Sequence, residues 1–315
     1  MELNSWLEQS GNIDPTWKQA AAIVRRHLMV PTPLWRLIRG GWQGQLDSTQ
    51  FMRLLGFCRV NCNSLVGAAE IKPSGDGKAD LGDVEQALAV LGIRLSSVVL
   101  AINHTCRQIL NAKPAPAWKA LFEDTMTTVE IGYKLGARVP EIGLEGGAIA
   151  GFARGAAMGL ILAWNPKAYR DFNLKNKHGR ASERQCAVEL FGCEPYQVSA
   201  FILQALGFGP ELAVGLAYGL GHLKSKHLSL DPETLRWRAI SEWLDALKFA
   251  RNYPGDLETR MLFPEIAPSQ NGRPKNLILE VLYTEVAKVR TDGSKWLWHL
   301  PKESYEASAI KFGLK

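Results

Sequence analysis

Metal centres and nucleophilic sites are built from histidine, cysteine and carboxylate side chains, and in this chain those residues are scattered. The six histidines, His27, His104, His178, His222, His227 and His299, include no i, i+4 pair and no spacing typical of a zinc site. The five cysteines, Cys58, Cys62, Cys106, Cys186 and Cys193, form no C-x-x-C pair, which reads as reduced, core-filling thiols of a cytosolic protein. The polar stretch Lys72-Pro73-Ser74-Gly75-Asp76-Gly77-Lys78 has glycines and a lysine suited to phosphate. A phosphate-binding loop needs a glycine five residues before Gly77 and Ser or Thr after the lysine, where Lys72 and Ala79 stand.

Two further groups could touch a ligand. Between Lys167 and Arg184 lie six basic residues, including Lys175, Lys177 and Arg180, against two acids, which accounts for four of the chain's six net positive charges. This run is either a solvated loop or an anion site using the helix N-terminus near Ser182. Asn63 and Ser64 are candidate ligand contacts, or a polar pair ending a helix and bonding its own backbone.

Helices must position all of these groups. Asp47 with Gln50 is a capping box before Phe51, Leu54, Leu55 and Cys58, whose spacing gives one buried face. Asp83 with Gln86 repeats the device before Val84, Ala87, Leu88 and Leu91, with Gly92 as the stop. Ser182 with Gln185 opens a helix ending near Phe191-Gly192. Gly209-Pro210-Glu211 and Asp231-Pro232-Glu233 each place a proline at the first helical position and an acid in the first turn. Ser97 to Leu100 alone fits strand or helix, and the fold class is all-α.

The chain has 315 residues, 46% hydrophobic and 22% charged, which excludes disorder and a small disulfide scaffold and suggests about two domains. No basic and apolar leader opens it, so export is not expected. The one membrane-like stretch, Gly146 to Trp164, is interrupted by Arg154, so no membrane association is expected. On that helix Gly143, Gly147, Gly151, Gly155 and Gly159 recur every four residues. They mark either a buried central helix tightly packed by its neighbours or a homodimer seam. Arg154 on the same helix must reach solvent or meet an acid. The helix Pro210 to Leu223, which comes after a turn like that of a helix-turn-helix, has no Lys or Arg for phosphate, so nucleic acid is not expected as a partner. Trp296-Leu297-Trp298-His299-Leu300 either docks the C-terminal tail or offers a partner surface.

Two stretches, together spanning about residues 25 to 225, resemble the HDOD family, an output domain related to the HD phosphohydrolases. The first is Pro31-Thr32-Pro33-Leu34, the helix Phe51 to Arg59, Asn63-Ser64, and Val84 to Gly92. The second is Trp118 to Tyr133, Ala150-Gly151-Phe152, Trp164 to Tyr169, and Phe191-Gly192 through Tyr218. The resemblance implies a multi-helical HDOD-like bundle with a helical subdomain in 25–112 and a degenerate HD-like subdomain in 113–228; an expected N-terminal helix in 1–24 and a helical extension in 229–315 lie outside it. It also places the HD metal-ligand positions at Asp124, at Arg154-Gly155, and later near Pro195 and at Gly219-Leu220. A guanidinium has donors only and glycine has no side chain, so these positions cannot form the metal site that activates water on a phosphoester.

The resemblance then implies a cytoplasmic, non-catalytic signalling module without catalytic residues, metal or cofactor, binding a partner protein or a small anionic ligand. The alternative is a divergent metal-dependent phosphohydrolase. With the metal ligands gone, Arg154 is expected to stand in for the cation and pair with Asp124, or failing that with Glu123 or Glu130. A buried pair of that kind costs roughly 3 to 5 kcal/mol to break from one side.

Overall fold

The computed structural model describes residues 15–57, 62–70, 84–112, 117–177, 183–221, 231–251, 261–267 and 276–295. Among them are thirteen α-helices, one short 3-10 turn and no strand. The helices are α1 (Pro15–His27), α2 (Thr32–Trp42), α3 (Ser48–Leu55), α4 (Cys62–Glu70), α5 (Val84–Asn111), α6 (Trp118–Gly136) and α7 (Gly143–Trp164). They continue with α8 (Pro166–Lys177), α9 (Glu183–Phe191), α10 (Pro195–Ala205), α11 (Pro210–Gly221), α12 (Pro232–Lys248) and α13 (Leu277–Asp292).

Local chemistry sets several of these boundaries. Asp47 Oδ1 accepts from Gln50 N at 2.8 Å while Gln50 Oε1 accepts from Asp47 N at 3.1 Å, which completes the capping box of α3. Asp231 caps α12 by accepting from Thr234 N at 3.0 Å, with Pro232 at the first helical position. Gly92 takes φ 75° and ψ 162° and breaks α5 where a stop was expected, but a new helical segment starts at once. Ser97 to Leu100 belong to that segment and are buried. Asn63 and Ser64 lie in the first turn of α4, not at a helix end as read from sequence. The expected caps Asp83 and Ser182, the glycine-rich loop at 72–78, and the aromatic residues at 296–300 lie outside the described residues.

Helix α7 is the axis of the molecule, with 15 of its 22 residues buried. Its glycine stripe faces α6 of the same chain, which answers with Gly132 and Gly136. A Cβ at Gly147 would collide with Gly132 O, one at Gly132 with Gly147 O, and one at Gly151 with Thr128 O. The two backbones therefore touch directly along the crossing, and the stripe is not free for a second copy. Helices α5, α10 and α1 also pack on α7. Trp17 of α1 meets Tyr196 and Phe201 of α10 edge to face, both at 6.0 Å, and α1 itself runs to His27, past the boundary expected at 24.

A second helix passes the length and apolarity needed to cross a membrane. Besides α7, whose most apolar window is 83% buried, α5 qualifies with 72% buried. Sequence reasoning missed it because Arg94 and Arg107 break the run to the eye. Both helices are the interior of the fold. Helix α12 joins that interior by lying on α11: a Cβ at Gly215 would come within 2.5 Å of Thr234 O and of the Trp237 Cβ. Trp243 of α12 is fully buried and meets Phe263 at 5.3 Å.

Candidate functional site

Three helices leave an opening where their polar edges meet. Leu121, Asp124, Thr125 and Thr128 of α6, Ala150, Gly151, Arg154, Gly155 and Met158 of α7, and Ser241, Leu244, Asp245 and Lys248 of α12 line one cleft. Its cavity volume is about 70 Å³, roughly half of the ~150 Å³ that encloses benzene in a protein interior. It admits a small polar group, or one end of something larger. Gly155 matters to its shape, because a Cβ there would run into the Thr125 side chain.

The residues that the resemblance singled out, Asp124, Arg154 and Gly155, are together in this cleft. Their expected pairing is not what the structure contains. Arg154 Nη2 lies 2.6 Å from Glu183 Oε1 on α9, and Nη1 lies 3.5 Å from Asp245 Oδ1 on α12. Asp124 Oδ2 is instead 2.6 Å from Lys248 Nζ. Nor does Arg154 use Glu130, whose buried carboxylate accepts from Ser294 Oγ at 2.7 Å and Lys295 N at 3.0 Å. The reason is position along the helices: α12 brings an acid and a base to the mouth of the cleft, and each finds the nearer counter-ion. Arg154 keeps 38% of its side-chain surface exposed, so it both meets acids and reaches solvent.

Asp124 itself is exposed, with 55% of its side chain in solvent. Thr128 Oγ1 donates to Asp124 O at 3.0 Å. Burial pushes the Tyr169 phenol on α8 above its ordinary range; its hydrogen bond with Asn173 opposes the shift, and the Asp124 charge adds to it.

The other candidates lie elsewhere. Asn63 is exposed and Ser64 fully buried on α4, where the Ser64 Oγ has no hydrogen-bond partner among the described residues. Lys175 Nζ is bound to Glu189 Oε1 at 2.6 Å, the arrangement of a solvated helix face. Lys177 ends α8 and Arg180 lies beyond it, and neither side chain is among the described residues. Gly219 and Leu220 belong to the last turn of α11, and the Leu220 side chain is likewise not described.

Sequence reasoning missed Ser241, Asp245 and Lys248 because the resemblance stopped near residue 225. A signal was present: they fall at i, i+4 and i+7, a polar stripe running beside the apolar positions Ile240, Trp243, Leu244 and Leu247.

The resemblance to HD proteins raises the question of a metal. Among the described residues no three His, Cys, Asp or Glu side chains converge on one point. The charged lining of the cleft pairs two carboxylates with an ammonium and a guanidinium, which carry donors and no lone pair for a cation. This donor set does not fit an HD-type metal centre. The buried thiols do not supply another site. Burial pushes Cys193 up to about 12 and Cys106 higher, so both stay protonated and unreactive.

A scan of protein-family models finds no match to the sequence, and neither does a search of curated proteins. Solved structures do match. A crystal structure from Shewanella amazonensis, named as a candidate phosphohydrolase, aligns with TM-score 0.59 at 16% identity, covering 90% of this chain and 98% of the other. An HDOD domain protein of unknown function from Geobacter sulfurreducens aligns with TM-score 0.55 at 12% identity, covering 94% and 95%. Coverage that wide takes in residues well beyond 25–225, so the fold likeness extends into the C-terminal helices. With thirteen helices in this arrangement and no strand among the described residues, the chain has an all-α, HDOD-like fold.

Proposed function

We propose that this chain is a non-catalytic regulatory protein of signal transduction that works by binding a partner protein or a small anionic ligand. The observation that carries the reading is the chemistry of the cleft. Where a hydrolytic centre would gather lone pairs around a cation, this cleft holds Arg154 and Lys248, each already engaged with carboxylates. Neither residue can ligate a metal at neutral pH, and neither leaves Asp124 or Asp245 free to act as a base. The opening is small enough to take a charged terminus or side chain and too small to enclose a nucleotide.

Buried thiols with no disulfide among the described cysteines agree with a cytoplasmic home. Helix α11 is consistent with a protein that does not read nucleic acid, since Leu212, Ala213, Val214, Leu216 and Ala217 are all buried. Binding to oligonucleotides, if it occurred, would weaken steeply with salt.

The second reading, a divergent metal-dependent phosphohydrolase, is favoured by the name of the Shewanella structure. Metal content of the purified protein, together with a phosphodiesterase assay on bis(p-nitrophenyl) phosphate and on a cyclic dinucleotide, separates the two. The non-catalytic reading expects no stoichiometric iron, manganese, zinc or magnesium and no turnover. A bound metal together with turnover establishes the alternative.

A further inference from the structure

The cleft is electroneutral before any ligand arrives. Lys248 on α12 holds Asp124 on α6, while Arg154 on α7 holds Glu183 on α9 and Asp245 on α12, and Asp245 also receives Arg251 Nη1 at 3.5 Å. The connected groups are three cations and three carboxylates. Lys248 has the least exposed side chain of the cations, at 19% against 38% for Arg154 and 67% for Arg251, so it is the one held most firmly against the cleft wall.

We infer that Lys248 and Arg154 are the resident counter-ions of this cleft: tethered cations that neutralise Asp124 and Asp245, bind α12 to the crossing of α6 and α7, and exclude a divalent cation from between the two carboxylates. The inference rests on the non-catalytic reading and deepens it, because the cleft is closed to metal by side chains that occupy it. A divalent ion takes its oxygen ligands at roughly 2.0 to 2.6 Å. The Asp124 carboxylate already has an ammonium 2.6 Å from Oδ2 and the field of a guanidinium lining the same small opening, so a divalent ion meets it with its charge largely cancelled. Removing the two cations would leave two carboxylates facing one opening with no counter-ion on the Asp124 side.

The test uses the full chain in two measurements. A double-mutant cycle on Lys248→Met and Asp124→Asn, read from denaturant unfolding, should show a coupling of about two- to fivefold in the unfolding equilibrium constant, as for a partly exposed ion pair. Titration with manganese chloride, followed by calorimetry, should leave the parent protein unaffected. The variant carrying Lys248→Met and Arg154→Met should bind at least tenfold more tightly, and adding Asp124→Asn should remove the gain. Where the double variant does not fold, Lys248→Gln alone provides the same comparison.

Zero coupling, or manganese affinity no greater in the variants than in the parent, overturns the inference. Those results are distinct from failure of the non-catalytic reading, which would appear as metal and turnover in the parent protein itself.

Discussion

Arg154 divides its guanidinium between two acids and keeps more than a third of its side chain in water. That exposure decides its energetic weight. Glu183 is 49% exposed, and Asp245 retains Arg251, so Arg154→Met leaves no isolated buried charge. Its cost should be about 0.5 to 1 kcal/mol in urea unfolding, well below the 3 to 5 kcal/mol of a buried pair broken from one side. A loss of several kcal/mol would show that the guanidinium is enclosed rather than shared with solvent. His104 makes the contrasting case. It is buried, and its Nε2 lies 2.8 Å from Met29 O, so the neutral ring donates to that carbonyl. Burial holds its pKa below the ordinary 6.5; the bond to Met29 opposes this and Arg107 reinforces it. Between the lowered folded value and 6.5 the unfolded chain binds more protons, so His104 favours unfolding as pH falls below about 6.5. The urea midpoint should therefore drop between pH 8 and pH 5.5 by more in the parent protein than in His104→Gln, and equal drops would contradict the assignment.

The α6–α7 crossing depends on having no side chain between the helices. Gly151→Leu must push its Cβ against Thr128 O, a backbone atom that cannot swing away, and should destabilise by ~1 to 3 kcal/mol or more. Gly56 is the control: it has φ −54° and nothing within 4 Å of an added Cβ, so Gly56→Ala should be neutral or stabilise by up to ~1 kcal/mol. Equal melting temperatures for the two variants would mean the crossing is not tight. These features differ in how visibly they are written in the chain. A glycine every four residues is a local pattern even though it acts on another helix, while the Asp47–Gln50 box and Asp231-Pro232 act on their own neighbours; all three can be read along the chain. The break at Gly92 was also legible, although the helix resuming straight after it was not, because a stop signal carries no information about the residues beyond it. Helices α6 and α7 begin after Ala117 and Ile142 without side-chain caps, and the left-handed φ of 71° at Gly143 marks the start of α7. The cleft was half legible: Asp124, Arg154 and Gly155 were found through the resemblance. Their counter-ions Glu183, Asp245 and Lys248 lie 29 to 124 residues away; the polar stripe of Asp245 and Lys248 is local, but nothing local pairs it with α6 and α7.

At the scale of the whole molecule, the described helices α12 and α13 of the stretch read as a C-terminal extension contribute buried residues to the core. Helix α12 covers α11 at Gly215, Arg290 Nη1 of α13 donates to Leu247 O at 2.7 Å, and Arg138 Nη2, in the turn after α6, meets Glu285 Oε2 of α13 at 2.8 Å. A chain cut after residue 228 loses the buried Trp237, Ile240, Trp243 and Leu247 and one wall of the cleft. It should show no cooperative thermal transition, and a fragment melting cooperatively at the parent temperature would contradict this unity. On the proposed reading, a fold related to HD phosphohydrolases here encloses a cleft neutralised by its own side chains and performs no hydrolysis. The decisive measurement is the rate of bis(p-nitrophenyl) phosphate cleavage by the full chain across a manganese titration. A rate equal to the enzyme-free blank is expected at every manganese concentration. A manganese-dependent rate that disappears in Asp124→Asn would contradict the non-catalytic reading.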